Sequence, residues 1–187
     1  AGESIERTLQ VSLQENTKTI FVNQKREPLT RYLSHLPVFS FTAADLEIVR
    51  GGPEARRRFL DRGISSIKPP YLQTIADYAK VIKQKNRILQ GANEENSPVG
   101  KVEQLIAPWN DQLTKLAIII HSERNDYVTS LSLALERQLF DKRHLSVRYL
   151  SSLEGKGDLS AYEDLLSTRL RLRLQAEIAS GHALVGP

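Results

Sequence analysis

YLQTIADYAKVIKQKNRIL, residues 71–89, carries the most regular hydrophobic pattern of the sequence. Its spacing alternates between three and four residues, the a/d pattern of a helix that packs lengthwise against another helix. The positions are Leu72, Ile75, Ala79, Ile82, Asn86 and Leu89. A polar residue such as Asn86 at an a/d position costs stability but can fix the register of packing. We therefore predict a long helix with a partner helix.

Further helices are predicted towards the C-terminus. After a loop over GANEENSPVG (residues 91–100), Pro108 can begin a helix that continues to about Asp141, which would be roughly 50 Å long. Its apolar stripe consists of Trp109, Leu113, Leu116, Ile120, Tyr127, Leu131, Leu135 and Leu139. LSVRYL (residues 145–150) alternates like a strand, and GKGD (residues 155–158) is typical of a turn.

The segment around RLRLRL fits either a strand or a helix. It alternates, yet apolar residues also recur every fourth position from Tyr162 to Ile178. The capping-box spacing of Ser160 and Glu163 and the stop signal of Gly181 favour a helix, in which Arg173 can pair with Glu177. The final ALVGP (residues 183–187) resembles the beginning of a strand.

The N-terminal part favours β-structure followed by short helices. Residues 5–13 and KTIFV (residues 18–22) predict an antiparallel hairpin, and VFSF (residues 38–41) predicts a third strand. Thr42 and Asp45 have N-cap spacing for a short helix over residues 43–50, which Gly51 ends. Pro53 then begins a helix that runs to about Ile67. The predicted fold class is α+β, mostly α.

Composition excludes several classes of protein. The 187 residues are 26% charged and 40% hydrophobic, and no apolar run approaches the roughly 20 residues that span a bilayer. The absence of cysteine excludes disulfides and thiolate chemistry and suits a reducing compartment. We expect a soluble, cytoplasmic protein without a membrane partner.

Positive charge is concentrated in one part of the chain. Residues 50–90 hold ten Lys or Arg against three Asp or Glu, whereas residues 1–49 hold five against six and residues 91–187 eleven against thirteen. A local basic patch is the pattern expected for a polyanion partner. The alternative is a solvated face balanced by acids elsewhere in the fold.

The motifs of common catalytic sites are missing. Neither Gly100-Lys101 nor Gly155-Lys156 has the surroundings of a phosphate-binding loop. His121-Ser122-Glu123 matches the H-x-E of nucleobase deaminases, but the two cysteine ligands of that site are absent. The histidines lack metal-ligand spacing, so we predict that the chain by itself has no catalytic residues and holds no metal or cofactor.

FSFTAADLEIVRGGPEARRRFLD, then YLQTIADYAKVIKQKNRIL and later PWNDQLTKLA, resemble the RecF family, bacterial recombination-repair proteins related to SMC-type ATPases. The combination of GGP, RRRFLD and KQKN, in this order, is its most specific part. The resemblance extends over nearly the whole chain. It implies the middle of a longer protein, because the family's phosphate-binding loop lies upstream and its ABC signature and Walker B segments lie downstream.

The resemblance also implies a domain organisation. Residues 1–50 would be the edge of an ABC-type ATPase head, residues 51–181 an inserted helical arm domain, and residues 182–187 the start of a return strand. The full-length protein would be an ATP-dependent and magnesium-dependent homodimer in DNA replication, recombination, repair and the SOS response.

The function implied for the family is binding at single-strand/double-strand DNA junctions, where with RecR and RecO it helps to load RecA. The chain would be the DNA-binding arm, acting on gapped or tailed duplexes. The alternative is a protein docking module that contacts RecR or the dimer mate without touching DNA.

The candidate site residues come from the basic stretch. Lys80, Lys83 and Arg87 align on one helix face, and we add four further cations as DNA-binding candidates: Lys85, Arg56, Arg58 and Arg62. Successive helical residues point about 100° apart, so Arg56, Arg57 and Arg58 must differ in role. Either they bind DNA phosphates or a carboxylate of a partner, or they bridge to acids of the head domain such as Asp45 and Glu47. The structural candidates are Arg57 with Asp61, Asn86 and Trp109.

We predict that the purified 187-residue chain does not hydrolyse ATP, because no segment has the residues that cradle phosphates and magnesium. A coupled phosphate-release assay with and without magnesium measures this. Saturable, magnesium-dependent turnover would contradict the prediction.

Overall fold

The structure is a computed structural model that describes residues 6–36, 38–135, 145–153 and 159–187, with the side chain of Leu159 left out. The chain divides into two compact units, Ala1–Gln73 and Thr74–Pro187. The α+β, mostly α fold class is confirmed, with long helices and one small antiparallel sheet. The domain boundaries after residues 50 and 181 stay predictions.

The first unit begins with a three-stranded antiparallel sheet in the order β1-β2-β3. Its strands are β1 (Leu9–Gln14), β2 (Thr17–Val22) and β3 (Lys25–Arg26). The predicted β1-β2 hairpin is confirmed, with Leu9 opposite Val22 and Gln14 opposite Thr17. The second hairpin turns through Asn23 and Gln24, whose φ values of 50° and 65° are both left-handed. Such a two-residue turn matches the twist of the flanking strands.

Short helices complete the first unit. They are α1 (Leu29–Leu33), a 3-10 turn (Ala43–Leu46), α2 (Glu47–Arg50) and α3 (Pro53–Ile67). The predicted positions of Pro53 and Gly51 are confirmed: the proline opens α3, and the N–H of Gly51 closes α2 on the carbonyl of Glu47 at 2.8 Å. Proline at the first helical position loses no hydrogen bond, since that N–H has no partner inside the helix.

The second unit is built from α4 (Tyr71–Glu94), whose first turn still belongs to the first unit, α5 (Val99–Leu135) and α6 (Tyr162–Ser180). Two apolar clusters form its core. One contains Val81, Leu113, Ala117, Leu153, Tyr162, Leu166 and Leu170, with Trp109 packed against it; the other contains Leu89, Ala92, Val102, Ile106 and Leu174. The helical prediction for RLRLRL is confirmed, and Gly181 ends α6 with φ 68°.

Helix boundaries on either side of the loop at residues 91–100 were wrong. The loop is shorter than predicted, because α4 continues to Glu94 and α5 begins at Val99. Pro108 therefore lies inside α5 rather than at its start. An internal proline costs about 3 kcal/mol, but buried Val102 and Ile106 before it and Leu113 after it anchor the helix on both sides. The prediction that α5 continues to Asp141 falls on residues outside those described.

The strands predicted at residues 38–41 and 145–150 are also wrong, whereas the start of a return strand at residues 182–187 stays a prediction. Residues 38–41, 145–150 and 183–187 have no strand partner among the described residues. A strand needs a neighbour for its N–H and C=O groups. In residues 183–187 the backbone N–H groups of Ala183 and Leu184 instead donate to the side chains of Asn86 and Glu177, at 2.8 and 2.9 Å. The predicted turn at residues 155–158 lies outside the described part of the chain.

No helix that the structure describes has the length and apolar character to cross a bilayer.

Candidate nucleic-acid interface

The basic face of α4 points away from the core of its unit. Lys80, Lys83 and Arg87 are exposed, whereas Val81 and Leu89 on the opposite side are buried. Lys80 donates to the Asp77 carboxylate at 2.8 Å. Lys83 and Arg87 make no ion pair with any described residue, so their charges face solvent.

Lys85 does not belong to this face, and its assignment as a DNA-binding residue is wrong. Its side chain is fully buried, and its Nζ lies 2.7 Å from Glu177 Oε2, which is equally buried. The two atoms touch, yet their alignment is not that of a directed hydrogen bond. Burial lowers the pKa of Lys85, and the Glu177 carboxylate opposes part of that shift.

The buried pair changes the register expected for α4. The interior positions include Val81 and Lys85, whereas Ala79, a predicted a/d position, is exposed. The packed face is thus rotated by about one residue from the predicted one. Lysine is almost never fully buried unless it is paired, so the sequence pattern placed Lys85 outside.

Glu177 and Asn86 also hold the C-terminal segment. Glu177 Oε1 accepts the N–H of Leu184 at 2.9 Å, and Asn86 Oδ1 accepts the N–H of Ala183 at 2.8 Å. Asn86 therefore satisfies a backbone donor, rather than pairing with a polar group on a partner helix. The carboxylate that faces Lys85 thus holds Leu184 against α6, and Asn86 holds Ala183 against α4.

The cations of α3 have four different surroundings. Arg56 Nε donates to the carbonyl of Ile48 at 3.1 Å. Arg57 pairs with Glu54 at 3.0 Å, instead of the predicted Asp61. Asp61 accepts the hydroxyl of buried Tyr71 at 2.8 Å. Arg58 is exposed and has no ion-pair partner among the residues described.

Arg62 forms an ion pair with Asp45, one of the two acids proposed as structural partners for the arginines. Asp45 Oδ2 also accepts the N–H of Thr42 at 2.7 Å, so the carboxylate closes the predicted cap and ties it to α3. The hydrogen bond from Arg62, followed by that from Thr42, holds the pKa of Asp45 below its ordinary value. Arg62 is thus engaged in a structural contact.

A partly buried aromatic cluster was missed from the sequence. The ring of His121 stacks on Tyr162 with centroids 3.9 Å apart and contacts Tyr149 at a tilt. Burial, with a contribution from Arg124, lowers the pKa of His121, and burial raises the pKa of Tyr162 to about 12. Tyr162 lies in the predicted apolar stripe of α6. Its contact with His121 depends on how α5 packs on α6, and periodicity along the sequence does not give that packing.

Once Lys85 and Arg62 are set aside, the remaining DNA-binding candidates lie in both units. Arg56 and Arg58 lie in the first, and Lys80, Lys83 and Arg87 lie in the second. In the part of the chain that is described, His, Asp and Glu form no group of three that could hold a metal ion. In this mostly helical α+β protein, Lys83 and Arg87 are exposed on a long helix and have no ion-pair partner among the described residues, so they form a positively charged surface.

Comparison with known proteins gives the family. The DNA replication and repair protein RecF of Chlorobium phaeobacteroides is 30% identical over 191 residues, covering 98% of this chain, and that of Macrococcus caseolyticus is 31% identical over 178 residues, covering 92%. A solved structure of the recombination mediator protein RecF with ATP has a TM-score of 0.84 and 27% identity over 97% of the chain. The chain belongs to the RecF family.

The chain spans about half the length of the curated relatives that it matches, 52% and 47% of the two sequences and 49% of the solved structure. No model of a protein family matches the sequence.

We expect Lys85→Met and Glu177→Gln each to lower the free energy of unfolding by about 3–5 kcal/mol, because each leaves one buried charge without its partner. Glutamine keeps the oxygen that accepts the N–H of Leu184. The double variant Lys85→Met/Glu177→Gln should lose less than the sum of the two. Urea unfolding of all four proteins measures this coupling.

The exposed pair on the same helix provides the matched control. Lys80→Met/Asp77→Asn should cost no more than about 1 kcal/mol, since exposed ion pairs contribute little. A Lys85→Met protein as stable as the wild type would show that the buried pair is not a constraint on the fold.

We expect the contribution of Asp45 to stability to depend on pH. Its pKa is lower in the folded state than the reference value of 3.8, so the contribution is complete above that value and is lost as pH falls through the folded pKa. Urea unfolding at a series of pH values should show wild type and Asp45→Asn converging as the solution becomes acidic. Glu54→Gln, which alters an exposed ion pair, should show little difference at any pH. A constant gap for Asp45→Asn would contradict the assignment.

Proposed function

We propose that this chain is the DNA-binding part of a RecF-type recombination-repair protein. The observation that carries the proposal is the match to RecF over 98% of the chain, together with the exposed cations of α4. The relatives are named for DNA replication and repair, and the solved structures for recombination mediation in the RecFOR pathway. A role in recombinational repair follows from both.

The full-length protein would bind ATP with magnesium, as an ABC-type ATPase that dimerises. Two solved relatives are named as complexes, RecF-ATP and RecF-ATPrS, which supports nucleotide binding in the family. In the cytoplasm of a bacterium it would act at gapped or tailed duplexes, where RecR, RecO and RecA are the partners. This chain would supply DNA contacts to that assembly.

The physical case for DNA rests on Lys83 and Arg87. They are four residues apart on one helix, so their side chains leave the same face about one turn apart. Neither has a carboxylate partner among the described residues, so binding a phosphate would not first break an ion pair. Lys80 differs because its ion pair with Asp77 must open before it can bind.

We expect the chain to bind duplex and tailed DNA without strong sequence preference, because cations that bind phosphates carry no sequence information. Each phosphate that is bound contributes about −0.9 to the slope of log K against log salt. Binding by Lys83 and Arg87, with or without Lys80, predicts a slope between roughly −2 and −3. Fluorescence anisotropy over a salt series measures it.

The variant Lys83→Glu/Arg87→Glu should weaken binding for all sequences and reduce the slope by about one for each phosphate that is no longer bound. Lys101→Glu/Lys115→Glu is the matched control, since it makes the same charge change at exposed positions of α5. Both variants should melt near the wild-type temperature. Wild-type affinity in Lys83→Glu/Arg87→Glu would exclude DNA from this face and favour docking of RecR or the dimer mate.

A further inference from the structure

The fold separates charges that the sequence leaves mixed. Residues 1–49 hold five Lys or Arg against six Asp or Glu, so this segment has no basic excess. Yet all five cations, Arg7, Lys18, Lys25, Arg26 and Arg31, line two neighbouring cavities beside β2 and β3. Among the described residues that line either cavity, Glu27 is the one acid. The basic surface arises from folding rather than from local composition.

The smaller cavity, of about 350 Å³, concentrates this charge. It is lined by Arg7, Lys25, Arg31, Glu27 and His35, with Val22 and Asn23 at its side. This volume is at the lower end of the range for small-ligand sites. Three cations face a single carboxylate, so the formal charge of the described lining residues is positive.

Two of the three cations have no carboxylate partner among the described residues. Arg31 lies 3.7 Å from Glu27, a loose pair in which the arginine is 65% exposed. Arg7 donates to His35 Nδ1 at 2.8 Å, and an imidazole ring carries no negative charge that would cancel the charge of the guanidinium. Lys25 makes no ion pair within the described residues. The positive charge of Arg7 and Lys25 is therefore available to an anion.

Backbone geometry fixes the position of this cavity. The N–H of Thr8 donates to Asn23 Oδ1 and the N–H of Asn23 donates to the carbonyl of Thr8, both at 2.9 Å. These two hydrogen bonds join Thr8, which follows Arg7, to Asn23 in the left-handed turn that precedes Lys25. Arg7 and Lys25 therefore come from two segments joined by directed hydrogen bonds, so bringing these two cations together costs little further conformational entropy on binding.

We propose that this cavity binds a phosphate group, through the guanidinium groups of Arg7 and Arg31 and the ammonium of Lys25. Guanidinium matches the geometry of phosphate oxygens, and ammonium binds them as a point charge. Lys18 and Arg26 in the adjoining cavity of about 580 Å³ extend the positive surface, which suits a chain of phosphates as well as a single one. The site belongs to the first unit and does not depend on the α4 face.

The test compares three proteins by NMR titration of backbone amides: wild type, Lys25→Gln/Arg31→Gln, and the matched control Lys101→Gln/Lys115→Gln. The probes are pyrophosphate, as a free phosphate source, and a duplex of about 20 base pairs, at constant ionic strength. The amide signals of residues 22–31 should shift on titration of the wild type and the control, and the apparent Kd should rise at least tenfold in Lys25→Gln/Arg31→Gln.

Shifts with pyrophosphate identify a site for free phosphate compounds, and shifts with the duplex alone identify a nucleic-acid contact; both support the proposal. Thermal melts verify that the variant is folded. A further variant, Lys25→Gln/Arg31→Lys, should bind more tightly than Lys25→Gln/Arg31→Gln, because it restores the charge at position 31. The proposal is overturned if neither probe shifts these signals, or if the control loses as much affinity as the variant. Loss of duplex binding in Lys83→Glu/Arg87→Glu bears on the α4 face alone, so the two proposals fail separately.

Discussion

The ion pair between Lys85 and Glu177 is the interaction on which the packing of the helical unit depends. Removing two charges from water costs several kcal/mol for each ion, and that cost is offset only while the partners stay together. Lys85 lies one turn from Val81 and one turn from Leu89, which belong to the two separate apolar clusters. The pair therefore sits where the clusters meet, and a shift of α4 along α6 would leave both charges buried and unpaired.

The orientation of α4 follows from the same constraint. With Val81, Lys85 and Leu89 turned inward, the helical repeat of about 3.6 residues turns Lys83 and Arg87 outward. The buried lysine and the exposed cations of this helix are thus consequences of one rotation. The C-terminal segment is tied to the same point, since Glu177 also accepts the N–H of Leu184. The Glu177 carboxylate therefore pairs with Lys85, fixes the register of α4 and holds the C-terminal segment.

Local signals predicted the fold well where a single residue decides the structure. Pro53 and Gly181 act through their own backbone conformations, and a side chain at position 51 would clash with the carbonyl of Glu47. In all three cases the required information lies in the local sequence. The inward position of Lys85 could not be predicted, because its compensating charge lies on another helix. The start of α5 was predicted wrongly at Pro108 for a related reason. The apolar contacts that stabilise α5 on both sides of the proline come from other helices.

The candidate site shows the same division between local and distant information. The face of Lys80, Lys83 and Arg87 follows from helical spacing alone, and it stays exposed in the structure. The cations beside β2 and β3 escaped attention because summed charge along a segment carries no information about which groups meet after folding. Asn23 brings Arg7 next to Lys25 through hydrogen bonds to Thr8, and Glu27 is the one acid among the described residues that line this cavity. Charge counted along the sequence therefore locates a positively charged surface only where one helix carries it, and a surface assembled from several segments requires the structure.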